Sequence, residues 1–322
     1  MVEIKTVLVL GAGASWDFGF PTGSELVTRI LNSLDNSEKQ SFKLFMEACQ
    51  GEDYSKAYEF HDVLQKAKPL SIDGWLEHNP AYIGIGKVAI AIAMLLCERR
   101  ASLRPQAKGD WYQLLFDRLN SPFEDFHKNR VSIVSFNYDR SFEHRLFETF
   151  RYTHTERSEE ECKEKLSHLD IVHVYGCLGR LNWQVENPAT PLTRLAYGAE
   201  LRAGYVITAA ENIKIMPEKS KTLPEGFQQA QRLIADAKAL YFLGFGYHKT
   251  NMERLGIDAF VKPSKVMGTA YGLDYQRRRE IERLQIKDLS RHKDGLVPTS
   301  VYEFLRNYID FNELGLPDVV YK

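Results

Sequence analysis

Short apolar runs separated by amphipathic segments predict a chain of alternating strands and helices. The first run, Thr6–Leu10, is followed directly by glycines, which is typical of a buried parallel strand that ends in a tight turn. Further apolar runs predict strands at residues 131–136, 171–175, 214–216, 240–243 and 266–271. Because helical patterns separate several of these runs, we expect the strands to be parallel and joined by helical crossovers.

Helical periodicity accounts for most of the remaining chain. Residues 25–34 carry apolar side chains at four-residue spacing, with Thr22 or Ser24 near the start as a cap. Other helical patterns lie at residues 42–49, 58–67, 80–99, 111–119, 140–150, 227–238, 250–255, 274–284 and 300–307. The sequence therefore predicts an α/β fold with a Rossmann-like parallel sheet flanked by helices, in which residues 37–119 form an inserted helical subdomain.

Composition and charge exclude several classes of protein. The 322 residues include 42 Lys and Arg against 43 Asp and Glu, a net charge of −1. This balance gives no overall basic field, so we expect no direct nucleic-acid binding. The four cysteines lie far apart without C-x-x-C spacing, and no metal site is expected.

Two apolar segments could in principle be a signal peptide or a membrane span. The N-terminal run is too short for a signal peptide or a span. The stretch at residues 81–97 contains Lys87 and falls short of the roughly 20 residues that a span needs. We therefore expect a cytoplasmic protein without membrane association, in which residues 80–99 form a buried helix.

The glycines after the first strand suggest a nucleotide site. Gly11-Ala12-Gly13 would let the backbone approach a phosphate, with the N-terminus of the following helix facing its charge. An ordinary dehydrogenase fingerprint fails, because Trp16 stands at the position of its third glycine and no second strand follows. A glycine turn that only allows tight packing is the alternative.

A longer pattern resembles a known family. Gly11-Ala-Gly-Ala-Ser15 followed by Phe18-Gly-Phe-Pro-Thr-Gly23 resembles the NAD-binding opening of the sirtuin-like superfamily. Four later segments are similar to that family in the same order: Ser71-Ile-Asp-Gly-Trp-Leu76, Ser135-Phe-Asn-Tyr-Asp139, His173-Val-Tyr-Gly176, and Leu243-Gly-Phe-Gly-Tyr247 with Asn251. The resemblance implies a sirtuin-like NAD-binding catalytic domain over residues 1–290 and leaves residues 291–322 as a C-terminal helical extension.

The resemblance also implies which residues bind and cleave NAD. Asn137 would hold the nicotinamide-side ribose and orient a water for attack on its anomeric carbon. The expected contacts to NAD are Gly11, Ala12, Gly13, Ser15, Pro21, Thr22, Asp139, Tyr175, Gly244 and Gly246. Purely structural roles are the alternative. Asp139 could be only a helix N-cap, Asn137 a turn residue, and Gly244 and Gly246 tight-turn residues.

The chain departs from the family at the position of the catalytic base. The family carries a histidine directly before the glycine at position 176, where this chain has Tyr175. His173 lies two residues earlier. If residues 171–175 form a strand, both side chains project from the same face and line one pocket. We take His173 as the base, which suits a reaction near neutral pH, and Tyr175 as a pocket wall or hydroxyl donor. A buried strand histidine without a catalytic part is the alternative.

Together these features predict an NAD glycohydrolase that cleaves NAD to ADP-ribose and nicotinamide. The missing paired cysteines and the long helical insertion resemble bacterial sirtuin-like NAD-consuming effectors of antiphage defence. That resemblance implies restrained activity, self-association into a homo-oligomer, and a partner such as a HerA-type hexameric ATPase or another phage-sensing component. A regulatory subunit that binds NAD or ADP-ribose without cleaving it is the main alternative, and a deacylase or ADP-ribosyltransferase is a further one.

Overall fold

The computed structural model of this protein describes most of the chain. The described residues are 1–49, 54–100, 103, 109–184, 192–216, 222–257, 263–284 and 295–313.

A parallel sheet forms the centre of the fold. In the described residues it has six strands, in the spatial order β3-β2-β1-β4-β5-β6. They are β1 (Thr6–Leu10), β2 (Val131–Ser135), β3 (Asp170–His173), β4 (Ala239–Leu243), β5 (Lys265–Thr269) and β6 (Leu296–Val297). Every residue of β1, β2, β4 and β5 is buried, as the continuous apolar runs indicate for strands covered by helices on both faces. The predicted α/β, Rossmann-like fold is confirmed.

Helices flank this sheet and connect its strands. The helices before β2 are α1 (Gly23–Leu34), α2 (Gln40–Ala48), α3 (Tyr54–Ala67), α4 (Ile72–His78), α5 (Ile83–Arg100) and α6 (Trp111–Leu119). Those after β2 are α7 (Ser141–Thr153), α8 (Glu159–Leu166), α9 (Ala203–Asn212), α10 (Glu225–Ala235), α11 (Lys249–Leu255), α12 (Tyr275–Leu284) and α13 (Val301–Asn307). Short 3-10 turns lie at Ala12–Ala14, Trp16–Phe18, Pro80–Tyr82 and Phe123–Lys128. The described residues between β1 and β2 therefore form helices joined by loops and contain no strand, as the periodicity predicts.

Some predicted strand boundaries are wrong. The third strand ends at His173 instead of residue 175, because the chain turns there with Gly176 at a φ of +67° and its amide donating to the His173 carbonyl. Residues 214–216 form no strand. Lys214 donates one backbone hydrogen bond to Tyr175 at 2.8 Å, but β3 has already ended and offers no ladder at that point. The short strand β6 carries too few residues to stand out in the sequence.

The apolar helix α5 lies inside the protein. Its length and composition would allow a membrane span, yet most of that segment is buried in the fold. Buried residues occur on all sides of the helix, which packs against α1 and α9. Its side chains share one hydrophobic core with those of the sheet. The expectation of a buried core helix is confirmed.

The boundary expected between residues 290 and 291 lies outside the described residues. On its C-terminal side, α13 begins after Ser300, whose hydroxyl accepts from the Glu303 amide at 3.2 Å. This helix packs against α6 and β5.

A buried ion pair joins α5 to the segment after β2. The Arg140 guanidinium donates to both carboxylate oxygens of Glu98, at 2.9 and 2.6 Å, and both residues are almost fully buried. Arg140 also donates to the carbonyls of Gly179 and Leu195. The neighbouring carboxylate and these acceptors compensate for the loss of water around the guanidinium. One side chain thereby holds together α5, the start of α7 and the loop between β3 and α9.

This ion pair gives the first testable prediction. The change Glu98→Gln keeps the shape of the side chain but leaves the Arg140 charge buried without its counter-ion, and we expect it to lower the free energy of unfolding by about 3–5 kcal/mol. The matched control Asp62→Asn breaks the exposed Asp62–Lys66 pair and should cost less than about 1 kcal/mol. Urea unfolding of the three proteins measures both values. An equally small decrease in the free energy of unfolding for both variants would contradict the anchoring role of Arg140.

Candidate functional site

The carboxyl ends of the central strands form one edge where ligands of this fold class bind. Strand registers place Leu10, Ser135, His173 and Leu243 level with one another at the ends of β1, β2, β3 and β4. The chain leaves β1 toward β2 on one side of the sheet and reaches β4 on the other, so the crevice for a ligand lies between β1 and β4. The sequence motifs singled out above lie in the loops along this edge.

The glycine loop is packed tightly against the end of β4. The amides of Gly11 and Gly13 donate to the carbonyls of Leu243 and Gly244 at 3.0 and 2.9 Å. A Cβ atom at Gly11 would lie 2.6 Å from the Gly244 oxygen, and one at Gly244 would lie 2.1 Å from the Ala14 nitrogen. Gly244 also has a φ of +58°, which favours glycine. These three glycines therefore allow the two loops to touch, and their part in NAD binding stays a prediction.

The helix after the glycine loop begins later than the phosphate-binding pattern predicts. Two 3-10 turns follow Gly11, and α1 starts only at Gly23. Its N-terminus is closed by a capping box, in which the Glu25 carboxylate accepts from the Thr22 amide and hydroxyl at 2.8 and 2.9 Å. Thr22 is thus the cap that the sequence predicts, and this helix N-terminus already carries an anionic partner.

The other expected contacts to NAD lie in different surroundings along the same edge. Ala12 is half-buried and Pro21 is buried. Gly246 is exposed, and a Cβ atom there would meet only the His248 side chain, at 3.3 Å. The space beside the Gly246 backbone is therefore limited only by the His248 side chain, whereas the space beside Gly244 is filled by backbone atoms.

Three polar side chains from two loops form a buried cluster beside the glycine loop. The Ser15 hydroxyl donates to Asp139 Oδ2 at 2.8 Å, and the Asn137 amide group donates to Ser15 Oγ at 3.4 Å. Asn137 and Asp139 are 8% and 5% exposed. The structure thus brings together Ser15, Asn137 and Asp139, which the sequence resemblance assigns to one site.

Asp139 has a structural role as well as a place in this cluster. Its Oδ1 accepts hydrogen bonds from the Ser141 amide, at 3.1 Å, and from the Ser141 hydroxyl, so it satisfies the start of α7 as a capping residue does. Burial raises the pKa of the Asp139 carboxyl, while the hydrogen bonds from Ser141 and Ser15 act against that increase.

Asn137 keeps one hydrogen-bonding atom without a partner. Its Oδ1 is buried and accepts no hydrogen bond from the residues that the structure describes. Such an acceptor is costly to bury and indicates a place for a polar ligand or a water. Asn137 also lines a small cavity, which it shares with Ser135, Asp139 and Glu143.

That cavity is too small for NAD in this conformation. Its volume of about 10 Å³ is at the lower limit for one water molecule. The first residues of α6 line it and are held in place there, because the Trp111 indole donates to the Ala14 carbonyl at 2.7 Å and the Tyr112 hydroxyl is hydrogen-bonded to Ser141 at 2.7 Å. Tyr112 also stacks on Phe18, with ring centroids 3.8 Å apart.

His173 lies beneath this cluster, with both ring nitrogens engaged. Nδ1 lies 2.8 Å from the Asn137 carbonyl oxygen, and Nε2 is hydrogen-bonded to the Glu143 carboxylate. The two side chains are only 6% and 3% exposed. Burial alone would lower the pKa of His173, but the Glu143 charge and the two hydrogen bonds outweigh it and raise that pKa.

Tyr175 contacts a different set of residues. Because the strand ends at His173, the alternation of side chains does not continue to Tyr175, and the two candidate bases do not share a pocket. The Tyr175 hydroxyl donates to Asn251 Oδ1 at 2.7 Å and accepts from Arg254, which also pairs with Glu77 at 2.7 Å. Burial raises the pKa of Tyr175, although Arg254 acts in the opposite direction.

The Ser71-Ile-Asp73 segment also reaches this edge of the sheet. Ser71 is the N-cap of α4, and its hydroxyl accepts from the Gly74 amide at 3.4 Å. Asp73 accepts a hydrogen bond from the Tyr138 hydroxyl. Two sequence motifs of the resemblance are therefore in direct contact.

Sequence reasoning missed Glu143, Trp111 and Tyr112. Glu143 stands four residues after Asp139, on the first turn of the helix that follows β2, and that spacing could have marked it. No local signal places Trp111 and Tyr112 over the cavity, because only the packing of α6 brings them there. As for metals, no three His, Cys, Asp or Glu residues are grouped to hold an ion within the described ranges.

Comparisons with known proteins add no assignment. No protein-family model matches the chain, and no curated protein matches it significantly.

The glycine contact gives a second prediction. Gly244→Ala should lower the free energy of unfolding by about 2–4 kcal/mol, because the new Cβ meets backbone atoms and the φ is unfavourable. Gly204→Ala is a matched control within α9, where the new Cβ meets nothing within 4 Å. It should raise stability by up to about 1 kcal/mol, since alanine favours helices. Guanidinium unfolding measures both, and a harmless Gly244→Ala would refute the tight loop contact.

The His173–Glu143 pair gives a third prediction, on pH. Because the pKa of His173 is raised in the folded protein, its contribution to stability is complete below the unfolded value of about 6.5. This contribution is lost as the pH rises through the raised folded value. In Glu143→Gln, burial acts on His173 without the opposing charge, so the pKa of His173 should fall. The free energy of unfolding should then rise with pH around neutral pH, where it falls in the wild-type protein. Urea unfolding from about pH 5 to about pH 9, with NMR titration of His173, measures both effects. Identical slopes in the two proteins would contradict the pairing.

Proposed function

We propose that this protein hydrolyses NAD to ADP-ribose and nicotinamide. The observation that carries the proposal is the buried cluster of Ser15, Asn137 and Asp139, in which Asn137 Oδ1 lacks a partner among the described residues and lines a water-sized cavity. The cluster lies in the loops after β1 and β2, at the carboxyl edge of the sheet where ligands of this fold class bind and beside the switch point between β1 and β4. An asparagine acceptor at that place suits a water that must be held for attack on a ribose carbon.

The chemistry requires little more than positioning and one proton acceptor. Loss of nicotinamide develops positive charge on the ribose, which a nearby carboxylate environment stabilises. Asp139 and Glu143 supply carboxyl groups at the cavity, and Asn137 can orient the attacking water. No metal is part of the proposed reaction.

The small size of the cavity supports an enzyme whose activity is restrained. Trp111 and Tyr112 line this cavity, so the ribose of NAD would reach Asn137 only after α6 or its neighbours move. In our proposal a homo-oligomer or a partner protein causes this movement. The partner would be a HerA-type ATPase or another phage-sensing component, in the cytoplasm of an infected cell. The protein would then be a defence effector that depletes NAD.

A second function has one observation in its favour. Both ring nitrogens of His173 are engaged, and the cavity has no space for a nicotinamide ring. A regulatory subunit that binds NAD or ADP-ribose without cleaving it would show the same features.

Measurement of nicotinamide release from NAD is the fourth prediction and separates these functions. Assayed over a range of protein concentrations that allows self-association, the wild-type protein should release nicotinamide, and Asn137→Ala should lower the rate at least about 100-fold while the fold is kept. Asn32→Ala, an exposed position on α1, is the control and should behave as wild type. Saturable NAD binding without any release would favour the regulatory subunit.

A further inference from the structure

We propose that Glu143 accepts the proton of the attacking water, and that His173 is a positioning residue for Glu143. This inference rests on the proposed NAD hydrolysis and names its proton acceptor. It moves the role of base from the histidine that the sequence suggests to a carboxylate on α7.

His173 is poorly arranged to take a proton from water. A carbonyl oxygen only accepts hydrogen bonds, so the nitrogen facing the Asn137 carbonyl at 2.8 Å carries a hydrogen. The other nitrogen is bonded to Glu143 inside the protein. To serve as a base, His173 would have to break one of these bonds in a site where its side chain is 6% exposed.

Glu143 lies where a base is required. Its carboxylate lines the cavity together with Asn137 and Asp139, whereas His173 is absent from the described residues that line it. The hydrogen bond to His173 engages Oε1. A water held by Asn137 Oδ1 would therefore be next to the carboxylate and separated from the imidazole.

Asp139 is a weaker candidate for this role. Both of its oxygens already accept hydrogen bonds, Oδ1 from Ser141 and Oδ2 from Ser15. Glu143, in contrast, uses Oε1 for the hydrogen bond with His173 and also lines the cavity.

The proposed step balances in atoms and electrons. The water oxygen forms a bond to the anomeric carbon while the bond from that carbon to the nicotinamide nitrogen breaks. The electron pair of the broken bond goes to the nicotinamide nitrogen and neutralises its positive charge. One water proton passes to Glu143 and is later released to solvent, and His173 keeps its proton throughout.

Other ionisable groups also act on the pair. They lie on the loop after β2, on α6, on the turn after β3 and on the loop before α9. These groups are Asp139, Arg140, Tyr112, Cys177 and Tyr197.

Paired glutamine variants test this inference as the fifth prediction. Glu143→Gln should lower nicotinamide release at least about 100-fold, with NAD affinity within about threefold of wild type. His173→Gln offers an amide donor to Glu143 and should keep the rate within about tenfold. Its pH–rate profile should shift so that the acid limb lies at higher pH, because the carboxylate loses its cationic neighbour.

Two further variants control the experiment. Glu148→Gln, a half-exposed glutamate on the same helix, should leave the rate unchanged. Glu143→Asp keeps a carboxylate and should restore part of the activity lost in Glu143→Gln, which guards against a purely structural effect.

The outcomes separate the two proposals. A wild-type protein that releases no nicotinamide at any protein concentration, including those at which it self-associates, would overturn the proposed function and this inference with it. An active wild type in which Glu143→Gln stays active and His173→Gln is inactive would overturn this inference alone and assign the base to His173. An unshifted pH profile in His173→Gln would refute the positioning role.

Discussion

The contact between the loop after β1 and the end of β4 is the constraint on which the rest of the site depends. Backbone atoms approach so closely at Gly11, Gly13 and Gly244 that no side chain can be present at any of the three. This contact fixes the course of the chain from Gly11 to Ser15 at the centre of the sheet edge. Ser15 is thereby held within hydrogen-bonding distance of Asp139, and the loops after β1 and β2 become one rigid unit.

The buried charges of the site are distributed around that unit in pairs. His173 faces Glu143, and Arg140 faces Glu98, while Asp139 is satisfied by hydroxyl and amide donors. An isolated charge at such depth would be strongly unfavourable, so each carboxylate has its own compensating partner. Glu143 and Asp139 therefore line the same cavity with different hydrogen-bonding partners.

The helices between β1 and β2 connect the site to the rest of the molecule. Helix α6 places Trp111 and Tyr112 over the cavity, while α5 holds Glu98 against Arg140, the residue directly after Asp139. A shift of either helix would therefore act directly on the loop that carries Asn137. The same helical segment therefore contacts both the cavity and the loop that carries the polar cluster. In the function that we propose, this link would let a partner that binds those helices change the site.

The sequence by itself determined the parallel sheet and most helices, and its resemblance to the sirtuin-like family predicted that Ser15, Asn137 and Asp139 lie together. Continuous apolar runs and helical periodicity are local properties, and parallel strand ends necessarily meet at one edge of a sheet. Only the tertiary structure decided that β3 ends at His173, that Tyr175 pairs with Asn251 and Arg254, and that Glu143 reaches the cavity. These outcomes depend on turn geometry and on side chains from α6, α7 and α11. These side chains are distant from one another in sequence, or helical periodicity does not distinguish them from their neighbours. The glycines after β1 illustrate this difference. Their spacing predicts a tight turn, but their contact with the end of β4 involves backbone atoms more than 200 residues away in the sequence.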